Sequence, residues 1–436
     1  MNIGLFAMSG IRVCDAELLK LGLTLPGFVE RSKTIASLPS LGLLTLAGMT
    51  PRQHHVSYYE VPDVHQLEAL PAGLDLAAIS SYSAQMDEAY ELARRLRAAG
   101  VAVVLGGPHV TALPEEATAC GATAVVGEGE ATWPRVLADA ARGALQPIYR
   151  AAPDDFNMAD APLPAFELLA IEKYNRLTVQ TSRGCPHRCE FCASSVILTD
   201  RYKQKPAAKV LAEIARIKEI WPQPFIEFAD DNSFVHHAYW LDLLPALKGQ
   251  GLRWFAETDL AVAQNPELLT LMRETGCAQV LIGLESPVAD GLQGLEQHSN
   301  WKARRLPQYR EAIQTIQEHG ITVNGCFVIG LDGHGPDIFD QVFDFVDSSG
   351  LYEVQVTIQT PFPGTPLYAR LAREGRLLEP RNWRKCTLFD INYEPANMTR
   401  QELHDGFHKL VVRLYGEEFT RRRRERFRQL RRGRKT

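Results

Sequence analysis

TSRGCPHRCEFCASS, running from Thr181 to Ser195, places Cys185, Cys189 and Cys192 within eight positions of a 436-residue chain that holds eight cysteines in all. The spacing Cys-x3-Cys-x2-Cys confines three thiols to one tight loop. That loop follows the strand-like run opening at LTVQTS, the first of a series continued by PFIEFAD, LRWFAET, QVLIGLE, TVNGCFVIG and YEVQVTIQT. Helical stretches such as AAKVLAEIARIKEIW and YREAIQTIQEHG lie between them. Six strand-helix repeats predict a partial (β/α)6 barrel of the TIM kind over residues 176–375. Working groups of such a barrel stand at the C-terminal ends of its strands, which is where the cysteine loop falls.

Upstream, residues 1–143 alternate short apolar strands with helices, from NIGLFAM through VAVVLGG and TAVVGEGE to TWPRVLADAARG. This α/β pattern predicts a parallel, Rossmann-like sheet with right-handed crossovers. Gly106-Gly107 and Gly127-Glu128-Gly129 fall at strand ends, where such sheets receive ligands. Residues 144–175, rich in Pro and Asp without a sustained period, read as a linker. Residues 376–420 form a small helical appendage, with Thr399 as N-cap and Glu402 three residues later. The tail 421–436 is basic: Arg421 to Lys435 holds ten basic residues and one acidic, so a net charge of −5 leaves the preceding body at −14. The tail reads as a solvated arm able to meet an acidic surface, or as a solubilising helix.

The apolar start MNIGLFAMSGIRVCDAELL lacks a basic leader and a small-residue cleavage site, so it is expected to be a first strand in a cytoplasmic protein. No segment approaches the ~20 apolar residues that a membrane helix requires. In a reducing compartment, clustered cysteines point to metal binding or catalysis and not to disulfides. Thiolates favour zinc or iron-sulfur clusters. A structural zinc ordinarily takes four protein ligands, and His187 is the one further candidate within the loop. A cubane held by three cysteines leaves one iron open to a ligand that does chemistry.

CPHRCEFC resembles the signature of the radical S-adenosylmethionine (SAM) superfamily, with Phe191 at its aromatic position. The resemblance implies a four-iron four-sulfur (4Fe-4S) cluster on Cys185, Cys189 and Cys192, with SAM chelated to the open iron and cleaved to a 5′-deoxyadenosyl radical. FADDNSF stands where the family usually carries Gly-Gly-Glu for the SAM amine, so Asp230, Asp231 and Asn232 are the implied replacements. GLES resembles the ribose-binding position, with Glu285 and Ser286. Glu257 and Asp259, at the end of the third strand, and His236 beside DDNSF are candidates for substrate contact. Cys277 and Cys326 read as small core residues.

The order of a Rossmann-like domain, a Pro/Asp linker and this barrel resembles the cobalamin-binding class of the superfamily. GGPHVTALPEEA and VVGEGEATWP resemble its strand-end motifs, implying cobalamin contacts at Gly106, Gly107, His109, Gly127, Glu128 and Gly129. The class's Asp-x-His-x-x-Gly element is not visible after the first strand, where SGIRVCDAELLKLG stands, so no lower histidine ligand comes from it. The resemblance implies a cobalamin-dependent C-methyltransferase acting on an unactivated carbon of a small molecule, with an external electron donor such as flavodoxin or ferredoxin. The alternatives are a cyclising, ring-contracting or oxidising enzyme with the same cofactors, and a non-enzymatic metal-binding module. A methylthiotransferase would carry a second three-cysteine cluster upstream, where only Cys14 and Cys120 occur.

Overall fold

The computed structural model describes residues 1–23, 28–31, 34–152, 155–199 and 201–432. Six parallel strands form the N-terminal sheet: β1 (Asn2–Met8), β2 (His55–Val61), β3 (Leu76–Ser80), β4 (Ala102–Gly106), β5 (Thr123–Val126) and β6 (Ile148–Arg150), in the order β2-β1-β3-β4-β5-β6. Strand β1 is apolar along its length because both its faces are covered. Phe6 and Met8 pack with Leu92 and Leu96 of the helix Met86–Ala98. Ile3, Leu5 and Ala7 point the other way, into Leu43, Trp133 and Leu137 of the helices Leu41–Met49 and Gly129–Ala141. The order reverses between β1 and β3, the switch point at which open α/β sheets bind ligands.

Strand β6 pairs with β5 through Ala124 to Ile148 and Val126 to Arg150, so this sheet continues to residue 150, past the expected boundary at 143. A three-residue edge strand is too short to declare a period of its own.

The second sheet comprises β7 (Leu177–Val179), β8 (Phe225–Phe228), β9 (Arg253–Thr258), β10 (Cys277–Glu285), β11 (Thr322–Ile329) and β12 (Glu353–Ile358), all parallel and neighbouring in chain order. This is an open six-stranded barrel around a core including Phe228, Trp254, Val280, Ile282 and Phe327. The helices Arg400–Tyr415 and Glu417–Arg432 lie at its β12 edge, where the Tyr415 hydroxyl accepts a hydrogen bond from Val356 N at 3.3 Å. An edge amide is thereby satisfied. Thr399 and Glu402 form the capping box that starts the first of these helices.

The basic tail is docked and not a free arm. Phe419, Arg423 and Phe427, one helical turn apart, are buried. Arg423 is 0% exposed and donates to Tyr352 O at 2.8 Å and Leu414 O at 3.3 Å. Arg424 pairs with Glu353 at 2.6 Å, and Arg426 with Asp347 at 3.0 Å. These pairs hold the described part of the helix against its own barrel; the last four residues of the tail, 433–436, lie outside the described residues. No helix among the described residues is long and apolar enough to cross a membrane.

Candidate functional site

Two cavities open at the strand ends, one between the two sheets and one within the barrel mouth. The smaller one, in the barrel, about 320 Å³, is lined by Cys185, Cys189 and Cys192 together with Phe191, Asp231, Asn232, Glu257, Asp259, Glu285 and Lys302. The cysteine loop turns sharply to present its thiols. Gly184 has φ +87°, and a Cβ there would meet Arg201 O at 2.8 Å. Arg188 takes the left-handed conformation at φ 47°, unusual for a residue other than glycine. All three cysteines are free. Burial pushes the Cys185 thiol up to about 11 and raises Cys189 as well.

His187 is no ligand in this geometry. Its Nε2 lies 2.7 Å from Asp259 and its Nδ1 3.1 Å from Glu296, so both ring nitrogens are engaged. Burial opposes protonation, but the two carboxylates prevail and raise its pKa. Among the described residues, no three His, Cys, Asp or Glu side chains gather to hold a single metal ion. The thiols stand around a space instead. Glu285 enters that space from a β-bulge, at φ 61°; bulges commonly re-aim side chains at functional sites. Lys302, buried, donates to Glu285 Oε1 at 2.8 Å and to Gly283 O at 2.7 Å.

The second cavity, about 480 Å³, lies between the N-terminal sheet and the barrel mouth. Its sheet side is formed by Met8, Ser80, Gly106, Gly107 and Gly127-Glu128-Gly129, all at or just after strand ends, with Leu43, Leu46, Val104, Val125 and Trp133 as an apolar wall. A Cβ on Gly106 would find only Val125, at 3.7 Å and beyond, so nothing in the protein demands a glycine there. The open side faces the cavity. Barrel residues Glu227, Asp231 and Arg183 close it, and Asp231 lines both cavities.

Four expected site residues stand elsewhere. Asp230 is buried with its carboxylate spent within the barrel, accepting from Thr181 N at 2.7 Å, Thr181 Oγ1 at 2.5 Å and Ser182 N at 2.8 Å. Ser286 is buried against His334, Oγ to Nε2 2.9 Å. His109 is 1% exposed, held by Ser83 at 3.1 Å and Glu116 at 3.2 Å, and packs edge-on against Trp383. His236 is exposed beside Tyr202. None of the four lines either cavity: His109 is held within the helix Pro108–Ala112, and Asp230, Ser286 and His236 stand in irregular backbone, where the packed neighbours decide the side-chain direction. Cys326, expected in the core, faces the cysteine cavity, whereas Cys277 is a core residue at 0% exposure. The sequence reading missed Arg183, Lys302 and Tyr82, which line these cavities. Only Arg183 carried a signal, its place two residues before Cys185.

Residues 179–346 match the radical SAM superfamily and residues 33–137 the B12 binding domain; residues 365–436 match a domain of unknown function (DUF4070). The chain is a radical SAM protein with a B12-binding domain. It is 27% identical over 388 residues to the bacteriochlorophyllide d C-12(1)-methyltransferase of Chlorobaculum tepidum, covering 86% of this chain and 82% of that one. To the hopanoid C-2 methylase of Rhodopseudomonas palustris it is 29% identical, covering 87% and 76%. The fold resembles the radical SAM methyltransferase TsrM from Kitasatospora setae, solved with cobalamin and a [4Fe-4S] cluster bound, at a TM-score of 0.67 and 14% identity over the full length of both chains.

The radical SAM domain implies a 4Fe-4S cluster and SAM, and the B12-binding domain implies cobalamin. The residues present fit both. Three free thiols around a cavity, with the loop histidine engaged elsewhere, leave a cluster one iron without a protein ligand. Acceptors at Asp231 and Asn232 suit the ammonium of SAM. The glycine edge at Gly106 and the apolar wall behind it suit a large ligand lying against the sheet.

Proposed function

We propose that this protein is a C-methyltransferase that uses SAM twice, once as methyl source and once as radical source, on a small-molecule substrate bound where the two cavities meet. The observation that carries the reading is Asp231, one residue lining both cavities, so that a substrate there is within reach of both cofactor sites. When bound, the cluster supplies the electron that splits SAM, and cobalamin carries the methyl group. The chain binds and orients. Cys185, Cys189 and Cys192 hold the cluster; Phe191, Asp231, Asn232 and Glu285 surround SAM; Gly106, Gly107 and Gly127 to Gly129 bed cobalamin. Glu257 and Asp259 face the substrate. Burial, with Glu227 and Asp231 nearby, pushes Glu257 up to about 8, so it keeps its carboxyl proton at neutral pH and offers an O–H to a substrate acceptor.

The bacteriochlorophyllide and hopanoid relatives support methyl transfer to carbon over ring closure or oxidation. Reductive cleavage of SAM needs an external electron, which a flavodoxin- or ferredoxin-type donor in the cytoplasm would supply. The test supplies methyl-deuterated SAM with candidate substrates and follows both coproducts. One S-adenosylhomocysteine and one 5′-deoxyadenosine per labelled product is the expected result. Turnover that needs cobalamin but leaves the product unlabelled would eliminate methyl transfer.

A further inference from the structure

We propose that Arg183 is a positioning residue that couples the cobalamin site to the cluster site. Its guanidinium reaches across the domain boundary, Nη1 to Glu128 Oε1 at 2.9 Å and Nη2 to Glu130 Oε1 at 2.5 Å, while Nε donates to Gln180 Oε1 at 2.8 Å. Lys203 adds a second cation on Glu128, at 2.6 Å. It is also the backbone partner of Arg183 in the short hairpin Ser182–Arg183 with Lys203–Gln204. The group is largely stripped of water: the side chains of Glu128 and Glu130 are 4% and 8% exposed, that of Arg183 19%.

Both ends of this bridge are cofactor-site backbone. Glu128 stands between Gly127 and Gly129 in the wall of the larger cavity. On the other side, Arg183 runs directly into Gly184 and Cys185, and Gly184 N donates to Asp231 Oδ2 at 2.8 Å. An interface that served only to join domains could be apolar, since desolvating ion pairs is costly and gains little net stability. The rigid fork of an arginine, bound to two carboxylates at set positions, confers registry instead. A ligand that shifts Gly127 to Gly129 must therefore shift the backbone before Cys185, and the converse holds. The inference does not depend on the fate of the methyl group.

Coupling of this kind is reciprocal: each ligand changes the affinity of the other by one common factor. The test takes the full chain with its cluster reconstituted. With the cluster left oxidised throughout, SAM is titrated with and without hydroxocobalamin by isothermal titration calorimetry. Hydroxocobalamin is then titrated with and without SAM by absorbance. The wild type should give the same factor both ways, about fivefold or more. In Arg183→Gln the factor should fall towards one while iron, sulfide and cobalamin contents hold, and Arg183→Lys should restore part of it. A factor of one in the wild type, or an unchanged factor in Arg183→Gln, overturns the proposal. Should Arg183→Gln fail to hold its cluster, Glu130→Gln removes one bridge and spares Glu128; an unchanged factor there overturns it equally.

Discussion

Arg370 grips Glu190 from 180 residues away, with Nε 3.1 Å from Oε2 and Nη2 2.6 Å from Oε1. Glu190 directly follows Cys189, and its carbonyl accepts a further bond from Leu367 N at 3.0 Å. The helix Pro366–Arg373 thus braces the cysteine loop from outside. Arg370→Ala should loosen that loop by about 1.5–3 kcal/mol, the range of hydrogen bonds to charged groups. Iron and sulfide analysis after reconstitution should find a fraction of the wild-type content, with full content in Arg370→Ala counting against the brace.

Four cysteines line the smaller cavity, and only three sit on the loop. Replacing Cys185, Cys189 or Cys192 by Ala should abolish the cluster, whereas Cys326→Ala should leave four irons and four sulfides per chain, the stoichiometry of one cubane. A cluster lost from Cys326→Ala would mean that the fifth strand supplies a ligand.

Gly106→Ala separates fold from ligand. Because its Cβ meets only Val125, at 3.7 Å and beyond, the melting temperature should stay near wild type. Cobalamin affinity should fall about tenfold or more, a cost of roughly 1.4 kcal/mol for one methyl in the ligand's path. Equal affinity in the two proteins would place cobalamin away from this strand end.

The pH response of Glu257 has a definite sign. Its folded pKa, about 8, lies above the ordinary carboxylate value, so the folded chain binds the extra proton and stability falls as pH rises from the ordinary range through about 8. The slope from one such group is at most about 1.4 kcal/mol per pH unit. Glu257→Gln removes it. Thermal melts of the cofactor-free protein should show the variant gaining on the wild type between pH 5.5 and 8.5; parallel curves would show Glu257 ionised throughout.

The C-terminal helix is structural. Phe419 is 7% exposed and stacks on Phe343 at 4.8 Å. Phe419→Ala should cost about 3 kcal/mol, the low end for a buried phenylalanine. Denaturant unfolding with no loss of midpoint would return the helix to the status of a free arm.

Much of the architecture was legible because it is written in local patterns. Apolar strands at regular spacing announced both parallel sheets, Thr399 with Glu402 announced a helix start, and Cys185, Cys189 and Cys192 announced their chemistry, since the spacing of three thiols on one loop needs no distant partner. The same local reading could not tell Asp230 from Asp231. The two are neighbours, yet one is consumed by Thr181 and Ser182 while the other lines both cavities. Nor could it foresee that Arg423 would be buried by Tyr352 and Leu414, or that Arg183 would cross a domain boundary to Glu128 and Glu130. The sequence by itself determined the two main parallel sheets, their order and the clustering of three cysteines on one loop, because periodicity and loop spacing act between near neighbours. Only the tertiary structure decided which charges face a cavity and which face each other, because a buried charge is settled by partners brought from distant parts of the chain.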